Sequence, residues 1–206
     1  MIPDVDQALS DLLRSRAVPG GQVEISFEAP TRDWAAARNV PTVNAYLYDI
    51  TEDAQRRAYG LSPMRDESGI VVARRRPIRY FRLSYLLTCW TRRPEDEHRL
   101  LAAVLACLID TEALPVADGG ALASLGTPVE LTVAAPADDS RSTADLWSAL
   151  GGNLKPSLNV TAVTPFPPEL DGQVEPPVTE ATGVVGRRID APDRVDPVRL
   201  RRVRRN

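Results

Sequence analysis

The spacing of hydrophobic residues changes several times along the chain, and each change marks an element. Val5, Leu9, Leu12 and Leu13 recur at helical spacing within residues 4–16, with acids near the start. That pattern predicts an amphipathic helix, closed by Pro19, Gly20 and Gly21. Val23, Ile25 and Phe27 then alternate with polar residues, as in a half-buried strand. The turn EAPTRDW follows, leading into a short helix through the alanines. Residues 41–50, PTVNAYLYDI, are rich in aromatic and β-branched residues and predict a second strand. The polar stretch from Thr51 to Glu67 is expected to loop outward.

Gly69 to Arg76 and Ile78 to Thr91 read as two strands, a β-ribbon interrupted at Pro77. In the second, Phe81, Leu83, Tyr85, Leu87 and Cys89 share one face. Arg82, Ser84, Leu86, Thr88 and Trp90 share the other, and polarity fades toward the C-terminal half, which predicts a central strand there. Pro94 opens the strongest helix. Its first turn holds three acids, suited to the positive helix end, and Leu100, Leu101, Val104, Leu105 and Leu108 form a wide apolar stripe. Residues 128–134 predict a short strand. Ser142 or Thr143 can cap a helix carrying Leu146, Trp147 and Leu150, closed by Gly151 and Gly152. Residues 157–164 alternate as a last strand.

After Pro165 the character changes. Seven of the 18 prolines fall from there to Asn206, and apolar residues thin out. The chain is therefore divided into a domain over 1–166 and a Pro-rich linker with a basic arm over 167–206. No internal repeat is visible. The element order predicts an α+β domain with a mainly antiparallel sheet flanked by helices on one face, plus an extended C-terminal arm.

Composition narrows the function classes. The 206 residues are 43% hydrophobic and 26% charged, close to the globular average, which argues against wholesale disorder. No run approaches the roughly 18 apolar residues of a membrane helix, so no membrane partner is expected. The opening MIPDVDQALSDLL has acids where a secretory leader has bases, so export through that route is not expected. Two cysteines, Cys89 and Cys107, lie in apolar segments and suit buried thiols of a reducing compartment.

The net charge of −3 conceals an asymmetry. From Gly186 to the end, eight arginines and three aspartates give +5, and the remainder, with 17 bases and 25 acids, gives −8. An acidic body thus carries a basic tail, which can meet nucleic acid or an acidic protein surface.

Candidate chemistry is sparse. One histidine and two separated cysteines offer no metal cluster, and neither a P-loop nor a dinucleotide-binding loop occurs. The acids of PEDEH read as helix-end charges. His98 has no Ser or Cys partner placed by a recognisable motif, so no catalytic residue and no cofactor is assigned. Arg74, Arg75, Arg76, Arg79 and Arg82 are candidates for a partner-facing strip, or for a charged sheet edge that discourages aggregation. In VRLRRVRR, the residues Val198, Arg199, Leu200, Arg201, Arg202 and Val203 have three readings: a tail held by phosphates, a strand added to a neighbour's sheet, or an inert end. Trp34, Trp90 and Trp147 suit core or interface anchors. A structural or assembly role remains by elimination.

Several segments, in order, point further. MIPDVDQALSDLL, VEISFEAPTRDW and PTVNAYLYDITED are followed by RPIRYFRLSYLLTCWT, then directly by PEDEHRLLAAVL, and finally by DLWSALGGNLKPSLNV. Over about residues 1–168 this set resembles the N-terminal half of the cap proteins of phage-tail-like contractile injection systems. The resemblance implies a tail terminator: a homo-hexameric ring on the distal end of the inner tube and sheath. Such a ring stops tube polymerisation and helps hold the sheath extended. It also implies no enzymatic activity and no cofactor, with inner-tube protein, sheath protein and the chain itself as partners, and assembly in the bacterial cytoplasm. Within DLWSALGG and the following KPSL, Trp147 and Lys155 join the interface candidates, with a packing role as the alternative for Trp147. The rival readings are an adaptor or baseplate component of the same particle, and a nucleic-acid-binding accessory protein using the basic tail.

Overall fold

A computed structural model of the protein describes residues 1–69, 71–117, 119–135 and 143–168. Helix α1 (Ile2–Leu12) continues into a wider π-helical turn, Leu13–Ala17. Strand β1 (Glu24–Ser26) and the short helix α2 (Arg32–Ala36) precede the long strand β2 (Thr42–Glu52). A 3-10 turn at Ala54–Arg56 leads to β3 (Ser62–Arg65) and β4 (Val71–Arg75). Strand β5 (Arg79–Trp90) and helix α3 (Pro94–Ile109) follow. The chain then forms β6 (Ala113–Leu114), β7 (Val129–Val133), α4 (Thr143–Ala149) and β8 (Ser157–Phe166).

Six strands form one sheet in the order β1-β2-β5-β8-β7-β6. Only β1 and β2 run parallel; every other neighbouring pair is antiparallel. The expected α+β fold with a mainly antiparallel sheet is therefore the one found. Strand β5 occupies the interior position that its fading polarity predicts, with β2 on one side and β8 on the other.

The main core lies on one face of this sheet. Leu83, Tyr85, Leu87 and Cys89 of β5 meet Val5, Leu9, Leu12 and Leu13 of the first helix, and Val104, Cys107 and Leu108 of α3. Cys107 thus belongs to the buried stripe of α3, although the aliphatic pattern alone left it out. The expectation that all helices cover one face needs correction. Trp90 points to the opposite face by strand alternation, and there α2 and α4 bring Trp34 and Trp147 against it.

The region between β2 and β5 also departs from the sequence reading. Strand β2 runs on to Glu52, and part of the supposed loop is β3. Strand β4 pairs with β3 in a separate two-stranded sheet, not with β5 as a continuous ribbon. Pro77 explains the break: it lacks an N–H and sits between the two strands, where pairing changes partner. The Pro in β3 masked that strand, because Pro63 can be tolerated only at an edge. Strand β6 is too short to register as a periodicity.

One polar contact fixes α1 on the sheet. Tyr85, fully buried, donates its hydroxyl to the Asp6 carboxylate at 2.7 Å. Burial raises the Asp6 pKa, and the Tyr85 hydrogen bond offsets part of that rise. A carboxyl whose folded pKa is raised binds its proton more tightly in the native state. Stability therefore falls as pH rises from the ordinary carboxylate range through the raised value. Asp6→Asn keeps an acceptor for the hydroxyl and removes the charge, so urea melts between about pH 4 and 7 should show a flatter pH dependence than the parent. Tyr85→Phe leaves the carboxylate without its donor and should cost ~1–3 kcal/mol at neutral pH in the same melts.

Candidate functional site

The five arginines singled out from sequence do not form one strip. Arg74 and Arg75 lie on β4, opposite Pro63 and Ser62 of β3. Arg76 lines a cleft with Pro77, Arg79, Phe81, Phe166 and Pro168. Arg79 and Arg82 sit on opposite faces of β5, because they are three positions apart on a strand. Nor is β5 an edge strand at this end, since Arg79 is opposite Phe166 of β8 and Phe81 is opposite Glu52 of β2. The charged-edge reading therefore fails for Arg79 and Arg82.

Each of these two arginines faces an acid. The Arg79 guanidinium grips Glu52 through both carboxylate oxygens, with Nε 2.7 Å from Oε1. That bond, followed by the nearby charge of Arg57, holds the Glu52 carboxyl below its usual range. Arg82 lies 3.7 Å from Asp53, whose other oxygen is 3.5 Å from Arg56. Asp53 is buried, so its charge needs these two cations. Arg56 also pairs with Glu130 of β7 and lies over the Tyr80 ring. The 3-10 turn is thereby strapped across the sheet by charge.

The hairpin β3–β4 is different. All four β3 residues are exposed, as are Arg74 and Arg75. Close by in sequence, Tyr59 is 84% exposed and Leu61 53%, and Met64 on β3 itself is also exposed. An isolated two-stranded hairpin is marginal in water. Apolar and cationic side chains together on such an element form a candidate contact surface. Sequence reasoning placed this segment outward but missed its apolar content. The signal was present: Tyr59, Leu61 and Met64 punctuate an otherwise polar stretch.

The remaining candidates near KPSL serve this subunit's own packing. Trp147 is fully buried against Trp90, so its ring is not available to a partner. Lys155 is only 15% exposed. Its ammonium donates to the Cys89 carbonyl at 2.7 Å and to Glu97 at 2.8 Å, and lies 3.7 Å from the Trp90 ring centroid. It ties the loop after α4 to the end of β5 and the start of α3. Val198, Arg199, Leu200, Arg201, Arg202 and Val203 lie outside the described residues. So do the Ser142 cap and nearly all of the proposed arm.

Among the described residues, no group of three or more His, Cys, Asp or Glu side chains could hold a metal ion. Both cysteines are buried, and burial pushes the Cys89 thiol up to about 12, far from a reactive thiolate. No helix is long and apolar enough to cross a membrane among the described residues.

The matched span of the chain decides its family. Residues 4–180 fit the family model described as the Pvc16 N-terminal domain. The chain belongs to the Pvc16 N-terminal domain family. Two solved structures resemble it. One is the sheath/tube terminator, in the extended state, of PVC, an extracellular contractile injection system. It is 24% identical at a TM-score of 0.64, with 93% of this chain and 65% of that chain covered. The other is the tube-terminating cap of the anti-feeding prophage, 25% identical at a TM-score of 0.63, covering 89% of this chain and 62% of that one. The Pvc16 N-terminal domain chain described here thus spans less than two thirds of either neighbour. No curated protein matches it.

In this Pvc16 N-terminal domain the DLWSALGG segment earns its glycines by packing. Gly151 closes α4 at φ +66°, a left-handed conformation that suits glycine. A Cβ on Gly152 would lie 3.1 Å from the Trp147 ring, and that ring is pinned by burial. Gly152→Val should lower stability by ~1–3 kcal/mol in chemical melts, with the near-ultraviolet signal of the tryptophans altered.

Proposed function

We propose that this chain is a cap, or tail terminator, that closes the distal end of the inner tube and sheath of a contractile injection system. The carrying observation is the family match over residues 4–180, joined to the shared fold with two caps of such particles. Under this reading the chain works by contact and not by catalysis. It forms a homo-hexameric ring, stops tube polymerisation and anchors the extended sheath. Assembly takes place in the bacterial cytoplasm. Heterologous interfaces that close by rotation generate such rings, and they need complementary patches. The acidic body and the cationic β3–β4 hairpin supply a pair of that kind.

Arg74 and Arg75 are the arginines best placed to meet a tube protein, a sheath protein or a neighbouring subunit. The residues Val198–Arg205 are assigned to the last sheath ring, as an added strand or a bound basic segment. An adaptor role at the baseplate end is the second reading, since it would use the same kind of contact surface.

Gold labelling of the epitope-tagged protein on particles purified from the host should mark one end only, opposite the baseplate. Label at the baseplate end would select the adaptor reading, and unlabelled particles would end both. Arg74→Glu combined with Arg75→Glu should leave the melting temperature within about 2 °C, as exposed sites do, yet yield uncapped tubes of irregular length. Deleting residues 186–206 should release the cap from the sheath; normally capped particles would return that tail to the inert reading.

A further inference from the structure

The outer edge of β7 is only partly closed. Strand β6 pairs with it at two positions, Ala113 with Glu130 and Leu114 with Val129, and the Leu131 N–H donates to the Glu112 carbonyl at 3.1 Å. Before Glu112 the chain belongs to the end of α3, so the edge lies open beyond Leu131. The Ala134 N–H donates to Asn159 of β8. By alternation Val133 therefore turns its N–H and C=O outward, and no described residue bonds them. Helix α3 packs beside β7, and its end brings Ile109, 64% exposed, to this opening. Asp110 and Glu112 follow, both exposed and without an ion pair among the described residues. Arg16, close by, donates to the Thr111 hydroxyl instead.

The β3–β4 hairpin offers a matching edge. Pro63 has no N–H, so its pairing with Arg74 exchanges no backbone bonds, and Arg74 turns its N–H and C=O away from β3. The same proline blunts the β3 edge, which leaves the β4 edge for pairing. Arg74 and Arg75 on it are exposed and have no ion pair among the described residues. One chain cannot bring these two edges together. Val133 is opposite Val160, Val160 is opposite Tyr85, and Tyr85 is six residues along β5 from Arg79. Val133 is thus about 20 Å along the sheet from Arg79 and about 10 Å across it. The five residues from Arg74 to Arg79 span at most about 18 Å. We infer that the β4 edge of one copy pairs antiparallel with the β7 edge of the next, Arg74 opposite Val133 and Arg75 opposite Thr132. That direction sets Arg74 and Arg75 beside the second copy's Asp110 and Glu112 and keeps the acidic hairpin tip, Asp66 and Glu67, away from them. The two edges differ, so the contact is heterologous and can close by rotation. The inference rests on the ring proposed above and names the contact that builds it.

The test uses the full chain carrying Arg75→Cys and Thr132→Cys, both at exposed positions. Opposed residues of a non-hydrogen-bonded antiparallel pair lie about 4.5 Å apart, within disulfide range. Cys89 and Cys107 are buried and do not compete. Mild oxidation should give a ladder of linked copies on a denaturing gel, with the 75–132 peptide pair found by mass spectrometry, whereas each single variant stays unlinked. Adding Asp110→Arg should slow the ladder about fivefold, as one exposed ion pair becomes a repulsion, and Arg74→Glu on the same chain should restore it. Circular dichroism checks that each variant is folded. No ladder, dimers of a single variant, a link within one copy, or a rate indifferent to the charge swap would each overturn the inference. Light scattering on the parent chain separates this from the reading beneath it. A ring whose cysteine variant gives no ladder removes this contact and leaves the cap reading standing, whereas a parent that forms no ring and a variant that gives no ladder remove both.

Discussion

Everything in this fold hangs on a strand that is buried on both sides. From Leu83 to Cys89 strand β5 presents Leu83, Tyr85, Leu87 and Cys89 to one layer and Leu86 and Thr88 to the other, and each of these six is buried. A strand of that kind must have a partner along each edge and a cover on each face. Strand β2 pairs with it from Phe81 to Trp90 and β8 from Arg79 to Thr88, and beyond the end of β8 the Cys89 carbonyl accepts from Lys155. The first helix and α3 provide one cover, and the three tryptophans begin the other. The outer strands are then short, three residues in β1 and two in β6, which limits unwanted pairing at the edges.

Charge is distributed to match. The sheet end that carries Arg79 and Arg82 is neutralised locally by Glu52 and Asp53. Exposed pairs of this type add little stability. The buried Asp53 is the exception: it would be costly without Arg56 and Arg82, so its role is to fix where the 3-10 turn lies. The arginines that sequence grouped together are thereby divided between an internal strap and an external hairpin. Only the hairpin keeps its cations beside exposed apolar residues.

Much of the fold is legible from the chain because the long elements have strong periods. Strand β5, helix α3 and strand β8 emerge close to their observed bounds, since alternation or a helical stripe is sustained over ten or more residues. The misses have common causes. Strands β3 and β6 are short, and Pro63 disguises the first. The pairing of β4 with β3 is a non-local choice that no local pattern encodes. The site was less legible than the fold. Linear proximity grouped Arg79 with Arg82, whereas the pleat sends them to opposite faces. Lys155 could be recognised within a family-like segment, yet its bonds to Cys89 and Glu97 bridge 66 and 58 residues of sequence.

The contrast between the two sheets bears on how a terminator would act. The six-stranded sheet has its core within one subunit, so it can fold before any assembly. The two-stranded hairpin has little cover of its own, and a hairpin alone is marginal. An element of this sort gains order when a partner covers it, and its binding free energy is reduced by that ordering cost. For a chain acting as proposed, joining a tube only at its end, this would be an appropriate division. Under the cap proposal, the six-stranded body would set the geometry of assembly, and the exposed hairpin with Arg74 and Arg75 would make tight contact only where a complementary surface is complete. On an unfinished or incorrect surface the ordering cost is not recovered, so capping would be selective without any chemical step.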